Sequence, residues 1–106
     1  MKIDKLVRNK IPQLIEAEGL KVKTVKVKDE ELKEYLKYKL LEEVIELFRA
    51  TTKAEIIEEL ADVYEVLTEY QEVCDIDPKK VGTKRMWKFT QKGDFSDHIV
   101  LFEVDK

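Results

Sequence analysis

Two long segments with helical periodicity, separated by only a few residues, most strongly constrain the fold of this 106-residue chain. Apolar residues recur at the spacing of one helix face over residues 29–50 and again over residues 53–73. Thr52 is followed three residues later by Glu55, a capping box that marks the start of the second helix. Because the connection is so short, the two helices are predicted to be antiparallel neighbours at the centre of the fold.

Two further helices are predicted outside this pair. Apolar residues at helical spacing over residues 11–15 predict a short helix, and Gly19 is a natural stop for it. Asp77 is a suitable cap for a helix over residues 78–91, with proline at its first position, and that helix is expected to end near Gly93.

Two short segments predict a small sheet. Residues 21–28 alternate Lys with Val, which is typical of an edge strand, and the apolar, β-branched residues 98–104 predict a final strand that could pair with it. The expected fold is therefore mainly α, an antiparallel helix pair with a small accessory β-sheet, and residues 1–106 are expected to form one domain.

Composition excludes several classes of protein. Charged residues make up 41% of the chain, well above the usual quarter, and the bias towards Lys and Glu suits a heat-stable protein with surface ion pairs. The net charge is −3 with both signs mixed, so no basic field favours nucleic acid. Without an apolar run of membrane-spanning length or a signal-peptide core, we expect a soluble, cytoplasmic protein and no membrane partner.

Four carboxylates occupy positions where apolar side chains belong. On the first long helix, Glu43 lies within the arc of the leucines and Glu46 lies at the boundary of this face. On the second long helix, Glu59 lies inside the apolar arc and Asp62 lies at its edge. Each pair is three residues apart, so its members are neighbours on one face. If the two helices pack together, all four carboxylates are expected to converge.

Converging carboxylates repel one another in a partly dry site, and either proton uptake or a hard divalent cation relieves the repulsion. Oxygen ligands without nearby His or Cys favour Mg²⁺, or Mn²⁺, over Zn²⁺. A di-iron bundle needs Glu-x-x-His pairs, and His98, the single histidine, lies in the last predicted strand. Two alternatives stay open: Lys39 could pair with Glu43 without any metal, and such acid pairs often lie on a solvated face.

The motifs around these acids resemble a known family. Glu43-Val-Ile-Glu46 followed by Glu59-Leu-Ala-Asp62 is similar to the ExxE…ExxD signature of the all-α nucleoside triphosphate pyrophosphohydrolases, which include MazG, the dimeric dUTPases and phosphoribosyl-ATP pyrophosphohydrolase. "KLVRNKIP" resembles the "KLVRDKIP" of a small MazG-like branch, and "KFTQKGDF" resembles its K-x-x-x-R-G-G-F element. The chain departs from that branch at three positions: Asn9, Lys92 and Asp94.

The resemblance implies Mg²⁺-dependent hydrolysis of a (d)NTP or related nucleotide to a monophosphate and pyrophosphate, in a house-cleaning role. It implies that the four acids are the metal ligands and the catalytic residues, and either one of them or Glu42 could accept the proton of the attacking water. Basic side chains would bind the phosphates: Lys5, Arg8, Lys39, Lys88 and Lys92. The three departures leave substrate preference open.

A second apolar group on the first long helix predicts self-association. Leu41, Ile45 and Phe48, with Tyr38 beside them, make this helix apolar on two sides, which a small domain cannot cover alone. We therefore expect a homodimer or a higher homo-oligomer. The alternative function is a non-catalytic helical module that binds a nucleotide or a protein partner, with its carboxylates held by lysines.

Overall fold

An antiparallel pair of long helices dominates the structure, a computed structural model that describes residues 4–105. Within residues 4–105, four helices follow one another: α1 (Ile11–Glu16), α2 (Asp29–Arg49), α3 (Lys53–Val73) and α4 (Pro78–Lys92). Residues 50–52 reverse the chain between α2 and α3, which pack against each other. The mainly helical prediction and the central helix pair are therefore confirmed.

The chain divides into two compact units, Met1–Asp75 and Ile76–Lys106. The first contains α1, α2 and α3, and the second contains α4. The single-domain assignment of residues 1–106 stays a prediction. None of the helices within residues 4–105 combines the length and the apolar character that crossing a bilayer demands.

The start of α3 is defined by the predicted capping box. The Thr52 hydroxyl accepts a hydrogen bond from the Glu55 backbone N–H (3.1 Å), and the Glu55 carboxylate accepts one from the Thr52 backbone N–H (3.0 Å). These hydrogen bonds hold the pKa of Glu55 below its usual value. A cap of this type contributes about 1 kcal/mol to helix stability.

The remaining helix ends follow local chemistry. The Asp77 carboxylate accepts a hydrogen bond from the Lys79 backbone N–H (2.9 Å), as expected for the cap of α4. Gly19 and Gly93 follow α1 and α4 with φ values of 87° and 79°, a left-handed conformation that glycine adopts without steric cost. Lys28 is the N-cap of α2 and makes no side-chain cap bond.

The predicted accessory sheet does not form, because no strand occurs within residues 4–105. Residues 20–28 and 99–105 have neither helical nor strand structure, and Ile99 and Phe102 are 81% and 93% exposed. Alternating or β-branched residues favour a strand only when a partner satisfies the backbone N–H and C=O groups. The sequence pattern gives both segments a propensity for strand structure, but no partner strand forms within residues 4–105.

Few side chains are fully buried. Among the described residues, Leu36 (1% exposed) on α2 and Val66 (8%) on α3 are the buried apolar ones. Glu43 on α2 is equally buried, at 8% exposed. A carboxylate therefore shares the small core between α2 and α3, where desolvation is costly unless the charge is compensated.

Candidate metal centre

Three carboxylates from α2 and α3 meet beside this core. Glu43, Glu59 and Asp62 each offer one oxygen, and these three oxygens all lie within 4.8 Å of one another. Glu43 is buried because it occupies a position of the apolar stripe of α2. Glu59 and Asp62 are half-buried and lie three residues apart on the facing side of α3. We call these three residues the acid cluster.

The fourth predicted ligand, Glu46, lies outside the acid cluster. Its side chain is exposed and pairs with Arg49, 3.9 Å away. Three residues rotate a helix by about 300°, so Glu46 is turned roughly 60° from Glu43 towards solvent. Its charge nevertheless contributes to the raised pKa of Glu59. The role of Glu46 as a metal ligand stays a prediction.

Two acids of the cluster have a basic partner. Lys39 Nζ lies 3.3 Å from Glu43 Oε1, and this lysine is itself largely buried. Arg8 Nη2 donates a hydrogen bond of 2.7 Å to Asp62 Oδ1. The Lys39–Glu43 pair is the metal-free compensation that the sequence left open, whereas the Arg8–Asp62 pair was not predicted. Neither pair compensates the charge of Glu59.

Glu59 is the uncompensated member of the cluster. Among residues 4–105 it takes part in no ion pair, and its Oε2 atom is buried without any hydrogen-bond partner. Burial, followed by a hydrogen bond with Glu43 and the charges of Glu43 and Asp62, raises the pKa of Glu59 from 4.5 to about 7. Near neutral pH the cluster therefore holds a proton that a cation could replace.

The donor set fits a hard divalent cation. All three candidate ligands are carboxylates, and one of their oxygens is buried with nothing to bond to. Carboxylate oxygens are the ligands that Mg²⁺ and Mn²⁺ prefer. The orphaned oxygen of Glu59 is the feature that a structural ion-pair network leaves unexplained.

We expect the stability of the metal-free protein to fall as pH rises from about 4.5 to about 7 through this one group. In that range the folded protein binds more protons at Glu59 than the unfolded chain does, so the free energy of unfolding declines, and it levels off above the folded pKa. Urea unfolding across this range, in the presence of a chelator, measures the effect.

Glu59→Gln is expected to remove this component of the pH dependence, since the amide does not titrate. Glu58→Gln, at an exposed neighbouring position, is the control and should retain it. Parallel stability curves for wild type and Glu59→Gln would show that the carboxyl titrates normally in the folded protein.

Three of the five predicted basic residues pair with carboxylates of α2 or α3: Lys5, Arg8 and Lys39. Lys5 Nζ and Lys39 Nζ lie 3.1 Å and 3.5 Å from Glu42 Oε1. Burial would raise the pKa of Glu42, but the hydrogen bond from Lys5 and the charge of Lys39 outweigh it and lower the pKa. Glu42 therefore retains its charge and is poorly suited to accept a proton.

The other two basic residues, Lys88 and Lys92, lie on α4 in the second unit. No described ion pair includes either of them. Their assignment to substrate binding stays a prediction.

Sequence reasoning missed two contacts of the segment that precedes α1. Tyr35 donates a hydrogen bond of 2.5 Å to Asp4 Oδ1, which ties the segment preceding α1 to α2. Arg8 also approaches Glu65, with Nη1 3.9 Å from Oε1. Glu65 is three residues beyond Asp62, so the two carboxylates form a fork for one guanidinium. The three-residue spacing of Asp62 and Glu65 is visible in the sequence, but no local feature predicts that Arg8 binds them.

No protein-family profile, curated protein or solved structure matches this chain. The family likeness therefore rests on the motifs quoted above, and the activity that it implies is a proposal.

Proposed function

We propose that the chain is a divalent-metal-dependent nucleotide pyrophosphohydrolase of the MazG-like type, which cleaves a (d)NTP or related nucleotide to a monophosphate and pyrophosphate. One observation carries the proposal: three carboxylate oxygens from two packed helices lie within 4.8 Å, and the cluster contains a buried oxygen without a partner. The ExxE…ExxD motifs supply these acids and support the same assignment.

The acid cluster would hold the cation through Glu43, Glu59 and Asp62, with Glu46 as a further candidate. Bound Mg²⁺, or Mn²⁺, would neutralise phosphate charge and lower the pKa of a water molecule. The need for a cation follows from electrostatics, because a triphosphate and a group of carboxylates repel each other strongly in a partly desolvated site.

Basic side chains beside the cluster would bind the phosphates. Arg8 presents a planar guanidinium that can bind two phosphate oxygens at once, whereas Lys5 and Lys39 act as point charges. Arg8 and Lys39 lie within 4.0 Å of carboxylates of the cluster, and Lys5 pairs with Glu42, the residue before Glu43 on α2. We assign Lys88 and Lys92 of α4 to the same role on the resemblance alone.

The acids divide by their readiness to accept a proton. Glu42, with a lowered pKa, retains its charge, so it is the weakest candidate for the general base. Glu59, with a pKa of about 7, exchanges a proton near neutrality. Because a cation that replaces the proton of Glu59 leaves this residue unable to accept one, Glu42 and the cluster acids that do not bind the cation stay candidates for the proton acceptor.

The exposed apolar face of α2 supports the proposal that the protein works as a homodimer or higher homo-oligomer. Leu41 (56% exposed), Ile45 (41%), Phe48 (90%) and Tyr38 (68%) leave this face uncovered in the single chain. Exposed apolar groups of this size are typical of interaction sites.

A second candidate function is the non-catalytic module. The ion pairs Lys39–Glu43 and Arg8–Asp62 favour it, because they compensate two of the three clustered acids without metal. In this function a proton held by Glu59 and shared with Glu43 compensates the third acid, while its buried Oε2 has no hydrogen-bond partner among the described residues.

A nucleotide panel tests the two functions. The purified full chain is incubated with Mg²⁺ and each common (d)NTP, and pyrophosphate is measured. We expect release from at least one nucleotide and complete loss of release with EDTA. No release from any nucleotide, together with no thermal stabilisation by Mg²⁺ and nucleotide, would overturn the enzyme and support the module.

A further inference from the structure

The segment before α1 lies across both long helices. Residues 4–8, which we call the N-terminal strap, contain neither helix nor strand. Asp4 accepts a hydrogen bond from Tyr35 of α2, and Lys5 pairs with Glu42 of the same helix. Arg8 reaches α3, where it binds Asp62. These three contacts join residues that are 31, 37 and 54 positions apart in sequence.

Of these three contacts, the one made by Arg8 is to a member of the acid cluster. Tyr35 and Glu42 are not members of the acid cluster, whereas Asp62 is. Arg8 therefore places a full positive charge on a candidate metal ligand, at a hydrogen-bond length of 2.7 Å. A divalent cation in the cluster would be repelled by that charge, so the guanidinium and the metal compete for Asp62.

The side chain of Arg8 can move away from Asp62. It is 54% exposed, and its second carboxylate partner, Glu65, is 3.9 Å away and 61% exposed. Ion pairs this exposed contribute little to stability, so little holds the guanidinium in place once the charge of Asp62 is taken by a metal. A phosphate group offers the same fork of oxygens to the guanidinium as a carboxylate does.

We propose that Arg8 exchanges partners on binding: it neutralises Asp62 in the metal-free protein and transfers to a phosphate of the nucleotide when a divalent cation takes Asp62. This inference rests on the proposed function. It makes Arg8 a positioning and phosphate-binding residue whose effect on metal binding is opposite in sign to its effect on phosphate binding.

Titration of the metal-free full chain with Mn²⁺ alone, followed by free-Mn²⁺ electron paramagnetic resonance, tests the first half. Removing the competing charge in Arg8→Gln should tighten Mn²⁺ binding by up to roughly fivefold, the range that one partly exposed charge contributes. Lys10→Gln removes the same charge two residues further on, at an exposed position without a described ion pair, and should leave the affinity close to that of wild type.

Calorimetry with inorganic pyrophosphate at saturating Mn²⁺ tests the second half. Arg8→Gln should bind pyrophosphate about tenfold more weakly, because one charge-assisted fork is lost. Arg8→Lys retains the charge without the fork, so it should bind Mn²⁺ like wild type and pyrophosphate with intermediate affinity.

The outcomes separate the two proposals. Wild type that binds Mn²⁺, together with unchanged or weaker Mn²⁺ binding in Arg8→Gln, overturns the exchange and leaves the metal centre intact. Wild type that binds no Mn²⁺ overturns the metal centre and the exchange together. Thermal unfolding of each variant verifies that it is folded. If Arg8→Gln does not fold, a pyrophosphate affinity of Arg8→Lys equal to that of wild type overturns the exchange, and a weaker one supports it.

Discussion

Glu59→Gln is expected to lower Mg²⁺-dependent pyrophosphate release at least about 100-fold. The loss of a residue that only orients a metal ligand typically costs 10- to 100-fold in affinity or activity, so the loss of a ligand itself should cost about that or more. Glu59 is also the acid that the ion pairs of the cluster leave uncompensated, with a buried oxygen lacking a partner. Initial rates of pyrophosphate release, measured with the best nucleotide of the panel, give the comparison.

The control for this variant is Glu58→Gln. It makes the same chemical change one residue earlier on α3, at an exposed position outside the acid cluster, and should leave the rate unchanged. Unfolding of metal-free Glu59→Gln should be no easier than that of wild type at neutral pH, because the variant removes a carboxyl whose ionisation burial opposes. A rate within a factor of a few of wild type would show that Glu59 is not part of the catalytic machinery.

Local sequence chemistry predicted the helices closely. Thr52 and Glu55 specify the start of α3 through reciprocal hydrogen bonds that need no tertiary contact. Asp77 and Gly93 similarly mark the ends of α4. The segments 21–28 and 98–104 were predicted as strands and are not, because a strand depends on a non-local partner that propensity cannot supply.

The site shows the same division between local and non-local information. Helical periodicity placed Glu43 and Glu59 on inward faces and Asp62 at the edge of one, and packing of α2 against α3 brought them together. Periodicity also predicted Glu46 as a member of the carboxylate group, but in the structure its side chain is exposed and pairs with Arg49. The contact of Arg8 with Asp62 spans 54 residues, so it depends on the path of the N-terminal strap rather than on any local pattern.

Leu36→Ala is the substitution for which we expect the largest loss of stability, about 2–5 kcal/mol. Leu36 is 1% exposed and is the one fully buried large side chain among the described residues, so the cavity left by truncation lies in the centre of the small α2–α3 core. The same core contains Glu43, so looser packing there also disturbs the acid cluster. Urea unfolding followed by circular dichroism measures the change, and Mn²⁺ affinity should fall in parallel.

The matched control is Leu41→Ala, the same truncation on the same helix. Leu41 is 56% exposed in the single chain, and alanine is the better helix former, so an isolated chain should lose little stability. If a second copy covers this face, as the proposed homodimer requires, Leu41→Ala should instead weaken association, so at equal protein concentration the variant should be more monomeric than wild type in sedimentation equilibrium. An equal loss from both substitutions at every concentration would contradict the burial difference on which the α2–α3 core is assigned.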